Sequence, residues 1–139
     1  MKRLLLLLFL SSCHSPQLEV NREYLTKYSL ASYITGTPDP LYNCPPQGEK
    51  ILINWSLPKG AARLFPHTLY VQIRFRDHSQ SNFSVPITRD CGTYSYLLCN
   101  EDYFRLCGIL AYKVQLLAED QVLNTWEHPM WQERIVLPE

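Results

Sequence analysis

Polar and apolar positions alternate with period two along most of this chain. Lys50 to Pro58 sets Ile51, Ile53, Trp55 and Leu57 on one face, and Thr68 to Arg76 repeats the device with Leu69, Val71, Ile73 and Phe75. Successive side chains of a strand point to opposite faces, so both runs predict strands with one face in a core. Tyr70, Gln72, Arg74 and Arg76 form the outward row of the second, a face that is solvated or open to a partner. Asn82 to Ile87 is a shorter strand, placed at an edge by Pro86, which cannot donate to a ladder. Thr93 to Leu98 follows the turn signal Asp90-Cys91-Gly92, and Ile109 to Ala118 turns Tyr112, Val114, Leu116 and Ala118 inward. Glu119-Asp120-Gln121 predicts a hairpin into Val122 to Trp126, and Pro129 breaks that edge before Gln132 to Leu137 resumes. At the other end, Ser32 to Thr35 is expected to be a first short strand, stopped by the turn cluster Gly36-Thr37-Pro38-Asp39-Pro40.

Before that strand the period is not two. Leu18, Leu25 and the pair Tyr24/Tyr28 stand at helical spacing in a polar stretch, so residues 13–30 are expected to be a tether holding at most a short helix. Residues 31–139 then form one all-β domain, an antiparallel β-sandwich of about seven strands. Three local features make it resemble a fibronectin type III or immunoglobulin-like domain. Ile53-Asn54-Trp55-Ser56-Leu57-Pro58 is similar to that family's second strand, Leu106 stands six residues before Tyr112 as in its tyrosine corner, and Tyr112 to Leu116 looks like the strand that follows. The chain departs from the pattern in carrying cysteines and in Cys107-Gly108, where the family has a proline-glycine turn.

The first thirteen residues are patterned differently. Lys2 and Arg3 precede the apolar run Leu4 to Leu10, and two small residues and a cysteine close it. That run is too short to span a bilayer and is flanked as a secretion signal is. Leu10-Ser11-Ser12-Cys13 resembles the bacterial lipobox. The resemblance implies removal of residues 1–12, a diacylglycerol on the Cys13 thiol and a chain held at the membrane by its acyl groups. It further implies sorting to the outer membrane of a Gram-negative source, on its periplasmic or surface face, because residue 14 is histidine rather than the aspartate that retains such lipoproteins at the inner membrane.

Composition supports these readings. Ten prolines and nine tyrosines against five glycines lean toward strands joined by proline-bearing turns. Loss of Lys2 and Arg3 takes the 13 basic side chains down by two against 13 acidic ones, a formal charge of −2, and no basic stripe suggests nucleic acid. With Cys13 assigned to lipid, Cys44, Cys91, Cys99 and Cys107 remain, an even set in an oxidising compartment. Two disulfides are expected, with Cys99–Cys107 and Cys44–Cys91 preferred among the three pairings. A zinc site is disfavoured: no Cys-x-x-Cys occurs, and His14, His67, His78 and His128 are scattered.

Little in the chain points to catalysis. Ser79, Ser81 and Ser84 lie near His78 without a nucleophile elbow, and the acidic pairs Glu101/Asp102 and Glu119/Asp120 fall in expected turns, where carboxylates are solvated. No cofactor or metal is expected. Trp126, His128, Met130 and Trp131 crowd the proline-broken edge and form the candidate partner surface, since tryptophan beside an irregular edge is a common anchor. The expected function is that of a non-catalytic envelope lipoprotein presenting its sandwich to another envelope protein or serving envelope structure, or else holding a small ligand such as a lipid or glycan, with a hydrolase a distant third.

Overall fold

The computed structural model describes residues 16–133. Cys13, the rest of the lipobox-like run and most of the expected strand Gln132 to Leu137 lie outside them.

Among the described residues seven antiparallel strands form two sheets. β1 (Gln17–Leu25), β2 (Gly48–Ser56) and β5 (Cys91–Cys99) make a sheet in the order β1-β2-β5. β3 (His67–Phe75), β4 (Gln80–Ile87), β6 (Ile109–Ala118) and β7 (Gln121–Glu127) make the other, in the order β4-β3-β6-β7. This is the all-β sandwich of the expected class. Between the sheets Ile51 and Ile53 of β2 meet Leu69, Val71 and Ile73 of β3 and Val114 and Leu116 of β6, all sealed from solvent. Complete burial of each such side chain stabilises the fold by about 1.5–3 kcal/mol before entropy is counted. Pro86 lies on edge strand β4, as its missing N–H requires.

The N-terminal tether is corrected. Residues 17–25 are β1, paired residue for residue with β2 from Gln17↔Ser56 to Leu25↔Gly48. Its inner face carries Leu18, Val20 and then Arg22, and that cation interrupts the apolar row a strand reading needs. Arg22 is tolerated there because its guanidinium donates to the Ile109 carbonyl at 3.2 Å and to the Tyr24 hydroxyl at 3.0 Å.

Ser32 to Thr35 is also corrected, from strand to helix. It lies in the single helical turn α1 (Ala31–Thr35), closed by Gly36 at φ 66°, a left-handed position that costs glycine nothing. Two further short helices connect strands: α2 (Ala61–Leu64) between β2 and β3, and α3 (Asn100–Leu106) between β5 and β6.

The expected disulfides are absent, because Cys44, Cys91, Cys99 and Cys107 are all free thiols. Cys99 and Cys107 bracket α3, and at about 1.5 Å rise per residue a helix holds such positions roughly 12 Å apart, beyond the roughly 7 Å Cα limit for a bridge. Cys44 lies four residues before Gly48, which pairs with Cys99, while Cys91 pairs with Ser56 at the opposite end of β2. Four residues reach about 14 Å at most, and the eight steps along β2 cover about 27 Å, so Cys44 cannot meet Cys91.

Candidate functional site

The aromatic cluster expected at the C-terminal edge is largely structural. Trp126 stacks on Tyr112 with ring centres 5.1 Å apart and 8° between planes, and His128 tilts onto the same ring at 5.2 Å. Burial pushes the His128 imidazole below its ordinary pKa, and the Arg22 charge adds to the effect. Trp131, expected at an exposed edge, is only 8% exposed. Arg74 stacks over its indole at 4.1 Å and donates to the Gln132 carbonyl, while the indole N–H donates to Glu133. The outward arginine of β3 is thus used in folding the C-terminal segment onto the sheet. Of the four residues only Met130 is widely exposed.

The catalytic alternatives are also accounted for locally. Ser79 donates both its hydroxyl and its amide to Asp77 within the β3–β4 turn, which holds the Asp77 carboxyl below its ordinary pKa. Asp102 accepts from Arg105 at 2.7 Å on the surface of α3, one turn along the helix. Glu119 and Asp120 form the exposed two-residue β6–β7 turn. Among the described residues no three of His, Cys, Asp and Glu gather as metal ligands would.

A different surface emerges once β1 is in place. Residues 26–47, twenty-two in all, form the connection from β1 to β2 at the end of the sandwich where β1 finishes. It carries the helical turn α1 and two shorter 3-10 turns, Lys27–Ser29 and Pro40–Tyr42. Thr26 caps its first turn, accepting from the Tyr28 amide, and the Asp39 carboxylate ties its two halves, accepting from the Ser32 hydroxyl at 2.6 Å and the Leu41 amide at 2.8 Å. The Ser32 bond, then the Leu41 bond, holds the Asp39 carboxyl below its ordinary pKa.

On this frame Tyr28 meets Tyr33 edge-on at 4.8 Å, and Tyr33 lies nearly parallel to Tyr42 at 6.4 Å. These three rings are exposed, as are Leu41 and Ile34 of the same connection, the last 80% exposed, and together they give the connection a tyrosine ledge. Beside it opens a groove of about 530 Å³ whose walls carry Tyr33 and Tyr42 together with Ser32, Thr37, Asp39 and Asn43. Exposed apolar side chains scattered singly are ordinary, whereas rings in mutual contact on a braced connection make a candidate contact surface. The Tyr24/Tyr28 spacing was visible in the sequence; the ledge was not, because without β1 its residues read as tether, short strand and turn.

No family model matches the chain, and no curated protein matches it at a significant level. A structural genomics target solved by X-ray crystallography aligns over 91% of this chain and 97% of its own at 11% identity, with a TM-score of 0.33.

Proposed function

We propose that this chain is a bacterial envelope lipoprotein, anchored by acyl groups on Cys13, that acts by binding another envelope protein through the tyrosine ledge of the β1–β2 connection. The placement of Tyr28, Tyr33, Ile34, Leu41 and Tyr42 at the end of the sandwich opposite Gln17 carries this reading. The anchor then occupies one end of the domain and the aromatic surface projects from the other, toward the compartment. Tyrosine suits such a surface: it offers a large rigid contact area at low entropic cost and keeps a polar tip.

The groove supports a second reading, a small polar ligand such as a glycan, since parallel aromatic faces beside hydroxyl, amide and carboxylate groups suit a sugar's apolar faces and polar rim. A photoreactive benzoylphenylalanine at position 42, in cells carrying the full chain, separates the two. The protein-binding reading expects one discrete cross-linked protein that disappears when Tyr33→Ser is added, with none from a probe at Thr93 on the outer sheet face. Equal cross-linking from both positions contradicts it. Loss of a glycan-array signal in Tyr33→Ser, with no protein adduct, favours the ligand.

A further inference from the structure

At the anchored end of the sandwich, α2 and the residue after it present two adjacent apolar side chains to solvent: Leu64 is 72% exposed and Phe65 56%. The tip that carries them is braced. Asp90, from the β4–β5 turn, accepts the amides of Gly60 at 2.6 Å and Ala62 at 2.9 Å, and its own carbonyl accepts from Leu57. Pro66, on the far side of the tip, accepts from the Glu119 amide at 2.9 Å. Lys59 and Arg63 are exposed beside the apolar pair, and Arg89 is exposed on the neighbouring turn. Acidic groups at this end are Glu19, two residues into β1, Asp90, turned into the Gly60 and Ala62 amides, and Glu119 and Asp120, which stand on the β6–β7 turn.

We infer that this tip, Leu64 and Phe65 flanked by Lys59 and Arg63, inserts into the interface of the anionic bilayer to which the chain is attached. The inference rests on lipidation at Cys13, and the tether length supplies its geometry. Four residue steps lead from Cys13 to Gln17, a reach of about 14 Å at full extension. Gln17 pairs with Ser56, the last residue of β2, and α2 begins five residues further on, so anchor and tip share one end of the fold. A domain held that closely must set some part of this end against the headgroups. Apolar side chains flanked by cations suit that boundary, because the chains leave water while the basic heads reach lipid phosphates. Glu119 and Asp120 resist the same surface, so the domain tilts with α2 toward the lipid and the β6–β7 turn away from it.

The test uses the full chain purified from membranes with its acyl groups. It is reconstituted in phosphatidylethanolamine–phosphatidylglycerol vesicles, with a benzoylphenylalanine photoprobe at position 64 or, as control, at position 34 on the opposite end. Mass spectrometry of the same samples reports the acyl mass at Cys13. The expected result is lipid adducts at position 64 at least tenfold above position 34, reduced when Lys59→Glu and Arg63→Glu are combined. Acylated, vesicle-bound protein with no lipid adduct at position 64, equal adducts at both positions, or adducts to a second copy of the chain would overturn the inserted tip while leaving the anchor in place. Protein without acyl mass that fails to float with vesicles would overturn the anchor and the tip together.

Discussion

Gly92 of β5 lies against the Trp55 indole so closely that a Cβ built on it would stand 2.5 Å from Cζ2. The two residues are register partners across β2 and β5, and the indole N–H donates to the Arg89 carbonyl at 3.1 Å, which pins the ring over the glycine. Gly92→Ala should therefore destabilise the domain by about 1–3 kcal/mol, the usual cost of overpacking. Trp55 is partly rather than fully buried, so Trp55→Ala should cost about 2–3 kcal/mol, at or below the lower end of the range for buried tryptophans. A double-mutant cycle by urea denaturation checks the contact: the Gly92→Ala penalty should shrink to a few tenths of a kcal/mol in the Trp55→Ala background.

Glu49 is the buried acid of the core rim. Its Oε2 accepts the Ile109 amide at 2.9 Å from the opposite sheet, and its Oε1 has no protein partner. Glu49→Ala leaves a buried amide orphaned and should cost about 1–3 kcal/mol in chemical denaturation. Glu49→Gln retains an acceptor for Ile109 and should cost clearly less; equal losses would show that the bond contributes nothing.

His128 sets a pH dependence. Its imidazole is held below the ordinary value of 6.5 by burial, with the Arg22 charge adding to it. Below about pH 6.5 the unfolded chain therefore binds a proton that the folded chain refuses. Stability is fully present above that pH, falls as pH drops toward the folded pKa, and levels off beneath it. Denaturation midpoints between pH 7.5 and 5 should fall more in wild type than in His128→Gln, carboxylate effects cancelling in the difference.

Trp131 and Tyr42 should separate stability from recognition. Trp131, stacked by Arg74, should lower stability on replacement by alanine by about 2–4 kcal/mol, whereas Tyr42→Ser on the ledge should leave thermal unfolding within about 0.5 kcal/mol of wild type. Differential scanning calorimetry of the two variants reads both effects.

Which parts of the structure were legible followed from how regular their residues are. β3 alternates without exception, and β2 and β6 alternate through Ile51–Ile53 and Tyr112–Leu116, so their core positions were readable because burial on one face enforces period two. β1 escaped because Arg22 occupies an inner position, where its guanidinium donates to the Tyr24 hydroxyl two residues on and to the Ile109 carbonyl, a partner that only the tertiary fold supplies. Missing β1 hid the twenty-two-residue connection and the ledge with it. The cysteines misled for the opposite reason: their even number suggested bridges, but α3 holds Cys99 from Cys107, the length of β2 holds Cys44 from Cys91, and all four are free. Trp131 looked like an exposed anchor because its cover, Arg74, lies far away in sequence.

The central claim is an anchor on Cys13 at one end of a sandwich that binds with the other. Metabolic labelling with an alkyne fatty acid, followed by membrane fractionation of wild type and Cys13→Ala, tests the anchor directly. Wild type should show label and membrane association, Cys13→Ala should lose both, and Cys44→Ala should be unchanged. An unlabelled wild-type chain, or label that survives Cys13→Ala, would contradict that claim.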